Sequence, residues 1–276
     1  MNRDSNDRRP RRPSKAYFNE PFLRSSDARA LRMLAEYLEP ESRLAHYRVE
    51  DTIVFMGSAR LASREQAQTN LERVQAEGGD AARAQMLLQM SRYYEAAREL
   101  AHRLTEWSKS LSDTERRFVI CTGGGPGIME AANRGASEAR GINVGLTISL
   151  PAEEAGNPHI TRELAFEFHY FFMRKFWFAY LAKAVIFFPG GFGTLDELFE
   201  LLTLLQTRKI RKHMPIVLFG NEYWNDIMNF DALVRYGTIN ADDLKLFYRT
   251  DSVDDAFNYM VGELSKFAET ERGATL

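Results

Sequence analysis

Apolar positions along this chain fall into two kinds of block: short runs rich in β-branched residues, and longer stretches with apolar residues three or four positions apart. The short runs predict strands and the long stretches helices, because side chains repeat every two residues on a strand and about every 3.6 on a helix. Residues 27–39 place Leu31, Leu34, Tyr37 and Leu38 at helical spacing, which predicts an amphipathic helix packed on the domain or on a second subunit. Residues 47–57 read as the first strand, whose apolar part at 52–56 ends at Gly57-Ser58. Residues 62–111 read as helix in two pieces, broken at Gly78-Gly79-Asp80. A strand at 118–122, a glycine turn at 123–127 and an alanine-rich helix from 128 to about 140 follow. Next come strands at 142–150 and 164–168, an aromatic helix at 171–181 and a strand at 184–188. The turn Pro189-Gly190-Gly191-Phe192-Gly193-Thr194 then leads into a helix from 195 to about 207. The last units are a strand at 215–219, a helix near 224–236, a strand at 246–248 and a helix from 252 to about 267.

Strands this apolar, separated by helices, predict an α/β fold with a doubly wound, mostly parallel, Rossmann-like sheet covered on both faces. One such domain spans residues 26–270 with an N-terminal helical appendage, and residues 1–25 read as a basic, disordered tail. Ligands of such folds sit outside the carboxyl ends of the strands, so Ser58, the 123–127 turn and the 190–194 turn should face one crevice.

Composition narrows the chemistry. A single cysteine, Cys121, rules out an intrachain disulfide and a four-cysteine zinc site. No apolar run approaches roughly 18 residues and no secretion signal opens the chain, so a cytoplasmic protein without membrane spans is expected. The net charge is −2, yet residues 1–15 carry six basic and two acidic side chains, which leaves the remainder at −6. That acidic body argues against a protein that works by covering a nucleic-acid backbone.

Glycines after a strand let a ligand approach the backbone, and the helix start that follows offers unpaired N–H groups to an anion. Gly190, Gly191 and Gly193, and in the other turn Gly124 and Gly125, are therefore candidate phosphate or sugar contacts; the alternative is that both runs only make tight turns. Neither run is a dinucleotide fingerprint, and no P-loop is present. Thr194 and Glu197 have the spacing of a helix capping box, but Glu197 also stands where a carboxylate could face a phosphate-linked sugar. Arg174 and Lys175 lie in a helix apolar on nearly every side, so they need an anion: Glu197, a substrate phosphate, or a purely structural partner. The five histidines show no metal-binding spacing, and no catalytic metal or cofactor is expected.

The run Pro189-Gly190-Gly191-Phe192-Gly193-Thr194-Leu195-Asp196-Glu197 resembles the signature PGGxGTxxE of the LONELY GUY (LOG) family, and Arg174-Lys175 resembles its second motif. Phe171 and Phe172 depart from that motif by standing where smaller members carry Met and His. The resemblance implies a phosphoribohydrolase that releases free base and ribose 5-phosphate from AMP or cytokinin riboside monophosphates. It also implies Arg174 and Glu197 as the catalytic pair, with Lys175, Gly190, Gly191, Gly193, Thr194 and, further along, Thr203 in substrate binding. Ser58, Glu153 and Asn157 complete the candidate substrate contacts, and the implied assembly is a homo-oligomer. The rival reading is a carrier or sensor of the same fold that holds a nucleotide or molybdenum cofactor without catalysis.

Overall fold

The computed structural model describes residues 13–111, 116–149 and 157–267. Seven strands form one parallel sheet in the order β4-β3-β2-β1-β5-β6-β7. They are β1 (Thr52–Met56), β2 (Val119–Thr122), β3 (Asn143–Ile148), β4 (Ala165–Phe168), β5 (Ala182–Phe187), β6 (Ile216–Phe219) and β7 (Tyr248–Thr250). The chain builds outward from β1 to β4, then returns to lay β5 against the free side of β1. That return creates the topological switch point between β1 and β5, where a doubly wound fold opens a crevice.

Alternate residues of each strand feed opposite layers, as the period of two requires. Ile53 and Phe55 join Ile120, Ala184 and Ile186 beneath α4 (Ala81–Ser110), α5 (Ile128–Glu138) and α10 (Val253–Phe267). Val54 and Met56 join Cys121, Val185 and Phe187 beneath α6 (Phe171–Leu181), α7 (Phe192–Gln206) and α8 (Asn221–Ile227). Cys121 is thus core, and burial drives its thiol far above the usual range. The connection from β1 to β2 carries α3 (Arg64–Glu77) and α4, parted at Gly78 and Gly79, both with positive φ. No described helix is long and apolar enough to cross a membrane.

Several boundaries differ from expectation. The first strand begins at Thr52 rather than 47, because residues 47–48 close the preceding helix α2 (Arg29–His46). The stretch expected as an unstructured tail carries a 3-10 turn at Ala16–Phe18 and the short helix α1 (Glu20–Arg24), which Asn19 caps. The expected helix at 224–236 is two helices, α8 and α9 (Phe230–Arg235), because Asn229 caps a new start at Phe230 by accepting from Ala232 N. The last strand lies at Tyr248–Thr250, two residues later than expected, because a 3-10 helix at Ala241–Leu246 runs up to the predicted start. On α2, Tyr37 packs on Phe176 and Trp177, while Leu31, Leu34 and Leu38 face outward.

Candidate active site

Three strand ends meet through Ser58. Its N–H donates to Pro189 O at 2.9 Å and its carbonyl accepts from Ile128 N at 3.0 Å, so one residue ties the turn after β1 to both glycine turns. The Phe188 amide donates to Met56 O at 2.8 Å and draws β5 to the same edge. The Ser58 hydroxyl accepts from Arg60 N at 3.1 Å.

The two glycine turns differ in what demands their glycines. Gly124 and Gly127 both have φ of 71°, which side chains rarely tolerate. A Cβ on Gly127 would strike the main chain of Ser58 and Ala59, and one on Gly124 would strike Thr147. This turn is also sealed by its own hydrogen bonds. The Asn157 amide donates to Gly124 O at 3.0 Å, and Asn157 Nδ2 donates to Gly125 O at 3.1 Å and to Asn133 Oδ1 at 3.0 Å. Asn157 is buried and spends its side chain on that latch, while Gly125 faces Met129. Glu153 lies outside the described residues.

At the second turn, Gly190 is required by packing: a Cβ there would run into the Thr194 hydroxyl and come within 3.0 Å of Ser58 N. The Tyr223 hydroxyl on α8 donates to the Gly190 carbonyl and pins the turn from below. Gly191 and Gly193 are different. A Cβ on either would meet no described atom within 4 Å, and neither has a positive φ. Gly193 even sits inside a helix, where glycine costs about 1 kcal/mol relative to alanine. Neither backbone conformation nor packing among the described residues explains these two glycines.

Helix α7 starts at Phe192, three residues earlier than its apolar pattern suggests, with Gly191 as an N-cap that offers no side chain. Thr194 is therefore the third helical residue, not the cap, and the capping box expected from Thr194 and Glu197 cannot form. The first amides of α7 open beside the switch point without a side-chain acceptor, at the positive end of the helix dipole. Phe192 stands 92% exposed at the rim.

Glu197, one turn inside α7, is 6% exposed. Burial raises its carboxyl to about 7; Lys175 and Arg174 pull it down, while Glu200 and Asp196 push it up. Lys175 reaches from α6 across to α7, with Nζ 2.6 Å from Glu200, 2.8 Å from Asp196 and 3.7 Å from Glu197. Burial pulls Lys175 down, yet the hydrogen bonds to Asp196 and Glu200 leave it above the usual lysine value. Arg174 lies beside the rings of Phe171 at 5.3 Å and Phe178 at 5.7 Å. Glu197, Lys175, Arg174, Thr194 and the 190–193 turn thus form one cluster at the start of α7.

Thr203 is not brought there. It is exposed, its hydroxyl donates to Phe199 O at 2.7 Å, and six residues of helix put it about 9 Å along the axis from Glu197. Asp196, Glu200 and Tyr223 are the members that sequence reasoning missed. Asp196 lies within the glycine motif and Glu200 one turn beyond Glu197, so the acidic stripe on α7 was the available signal for both. Two surface cavities of about 520 Å³ lie elsewhere, one against Glu95, Arg98 and Arg134 and one against Asn225, Phe247 and Arg249. Neither holds a carboxylate that burial has brought near neutrality, as the α7 cluster does. Among the described residues no group of three or more His, Cys, Asp or Glu could hold a metal ion.

A family model described as possible lysine decarboxylase matches residues 129–260, a segment that runs from the start of α5 into α10. The cytokinin riboside 5'-monophosphate phosphoribohydrolase of Arabidopsis thaliana is 32% identical over 155 residues, 54% of this chain and 64% of that protein. These two matches make the chain similar to the LONELY GUY family. A second relative, the pyrimidine/purine nucleotide 5'-monophosphate nucleosidase of Escherichia coli K12, is 33% identical over 114 residues. That match covers 38% of this chain and 25% of the relative's length, so the chain spans less than two thirds of each of these relatives. Among solved structures, the molybdenum cofactor carrier protein of Chlamydomonas reinhardtii aligns with a TM-score of 0.46 at 19% identity, over 79% of this chain and 99% of that one.

Proposed function

We propose that this protein hydrolyses the N-glycosidic bond of nucleoside 5'-monophosphates, AMP or cytokinin riboside monophosphates, to free base and ribose 5-phosphate. The observation that carries the reading is Glu197: a buried carboxyl near pH 7, one turn from an uncapped helix start whose glycines no protein atom requires. The substrate phosphate docks on the first amides of α7, where the dipole favours an anion. Gly191 and Gly193 leave the space through which it approaches.

Departure of the base leaves positive charge on C1', which an ionised Glu197 stabilises across a site of low dielectric. Glu197 then takes a proton from the attacking water as the water oxygen bonds to C1'; the base, which has left with the glycosidic electron pair, takes a proton from solvent, and Glu197 returns its own to solvent. A carboxyl at about 7 suits this exchange, because both its forms are populated near neutrality. Lys175 and Arg174 keep part of the Glu197 population ionised in spite of its burial. Arg174, which can make bidentate contact with a phosphate, also serves the substrate anion.

The activities for which the Arabidopsis and Escherichia coli relatives are named support this reaction class. The test is to incubate the purified protein with a panel of nucleoside monophosphates and follow free base and ribose 5-phosphate, which should appear in equal amounts. Glu197→Gln should lower the rate by about 10²–10⁴. A nucleotide retained without base release would favour the carrier reading instead. The apolar residues exposed on α2 and α6, Leu31, Leu34, Leu38, Phe171 and Phe172, support a homo-oligomer, which light scattering on the intact protein would detect.

A further inference from the structure

We propose that Glu36, on the appended helix α2, is a positioning residue that fixes Arg174 and Lys175 in the site. The inference rests on the functional reading above, and it begins with a proline. Pro40 sits inside α2 and has no N–H, so the carbonyl of Glu36, four residues back, lacks its helical donor. The indole of Trp177, on α6, donates to that carbonyl at 3.0 Å. The gap that Pro40 leaves in one helix is thus filled by the other.

The side chain of the same residue grips the start of α6. Glu36 Oε1 accepts from His169 N at 2.8 Å and Oε2 accepts from Tyr170 N at 3.2 Å. Tyr170 is the N-cap of α6, so its amide and that of His169 stand ahead of the helical ladder and no carbonyl of α6 takes them. A carboxylate at this end also complements the helix dipole. The Tyr170 carbonyl in turn accepts from Met173 N at 3.1 Å and Arg174 N at 3.2 Å. Arg174 and Lys175 therefore lie between two points, Tyr170 and Trp177, that are both bonded to Glu36.

Two further contacts hold α2 against this part of the sheet. Tyr37 packs on Phe176 at 5.6 Å and on Trp177 at 5.8 Å. Arg43 Nη1 donates to Ala165 O at 3.0 Å, and its guanidinium lies 4.0 Å from the Phe166 ring. Lys175 must span from α6 to three carboxylates on α7, so a small displacement of the α6 start changes every distance in the cluster. A misplacement of about 1 Å in such a site can cost about 100-fold in rate.

The experiment compares wild type with Glu36→Ala, Glu36→Gln and Pro40→Ala in the full chain. Hydrogen exchange is read at amides 169–175, with kcat, KM and pH–rate profile for AMP measured per folded molecule. Glu36→Ala should speed exchange at 169–175, lower kcat/KM by about 10- to 100-fold and move the acidic limb of the profile upward. The limb moves because Glu197 faces Arg174 and Lys175 from α6 but Asp196 and Glu200 from its own helix, so retreating cations leave the acids dominant. Glu36→Gln, which keeps one acceptor oxygen, should recover part of the loss. Pro40→Ala restores a competing donor for the Glu36 carbonyl and should reproduce a milder form of the defect.

Unchanged exchange at 169–175 in Glu36→Ala overturns the proposal. Faster exchange with kcat/KM and pH limb unmoved overturns it as well, since Glu36 would then stabilise α6 without positioning the cations. A wild-type protein that releases no base would refute the functional reading alone. The exchange rates, with the Glu197 titration followed by NMR, would still decide the role of Glu36.

Discussion

Replacing Glu197 by glutamine should slow base release by the factor given above while making the protein more stable at alkaline pH, and the second effect can be worked from the structure. The carboxyl is 6% exposed and titrates near 7 in the folded chain, against 4.5 for an unperturbed glutamate. Between those values the folded state binds more protons than the unfolded one, so stability falls as pH rises through the window from about 4.5 to about 7. A displacement of that size costs about 2.5 kcal/mol between pH 5 and pH 8. Glutamine cannot ionise, so the stability difference between variant and wild type should grow by about 2–3 kcal/mol over the same range. Urea unfolding of both proteins at pH 5 and pH 8 measures the change, and the double difference cancels every other titrating group. A difference that does not vary with pH would refute the reasoning, because Glu197 would then not be a buried acid near neutrality. Lys175 keeps Asp196 and Glu200 as partners in the variant, so no buried cation is stranded.

The two glycine turns predict opposite outcomes for one kind of change. Gly193→Ala should leave stability equal or raise it by up to about 1 kcal/mol, since the added methyl meets nothing and alanine favours helix, yet it should raise KM for a nucleoside monophosphate several-fold. Gly127→Ala should destabilise by roughly 1–3 kcal/mol or more, because φ is 71° and main-chain atoms of Ser58 and Ala59 block the methyl; thermal unfolding would report it. Lys175→Met removes a cation 3.7 Å from Glu197, a contact of about 1 kcal/mol in a water-like medium and about 4 kcal/mol near a protein surface. The acidic limb of the pH–rate profile should therefore move up by about 1–3 pH units from its position near 7, with the direction fixed by loss of the cation.

Period and punctuation made the sheet legible in the sequence. The apolar runs around Val54, Cys121 and Val185 could only be strands covered on both faces, and each ended at glycine. The start of α7 was read late because Phe192 and Gly193 look like turn residues; tertiary contacts at Ser58 and Tyr223 hold the turn tight enough for the helix to begin at once. That shift of three residues is why Thr194 could be mistaken for a cap. Asn157 was expected to face substrate, but its amide closes the turn at Gly124 and Gly125 through contacts 32 and 33 residues apart in sequence, beyond any local pattern. Glu36 was equally hidden. Its partners lie 133 to 141 residues away, and the only local sign was a proline inside an otherwise helical stretch.

Anchors surround the candidate site unevenly, and the unevenness is informative. Gly190 is locked by Tyr223, Thr194 and Ser58; the turn after β2 by Asn157; the start of α6 by Glu36. What no described side chain fills is the space over Gly191 and Gly193, at the first amides of α7. A fold indifferent to ligands has no reason to fix every border of a patch and leave glycine at its centre, where alanine would give a better helix. Rigid walls around an open, donor-rich floor would hold charged groups to a fixed geometry before a ligand arrives, and on the proposed reaction that is the condition under which Glu197 and its two cations would act on a bound sugar without first rearranging.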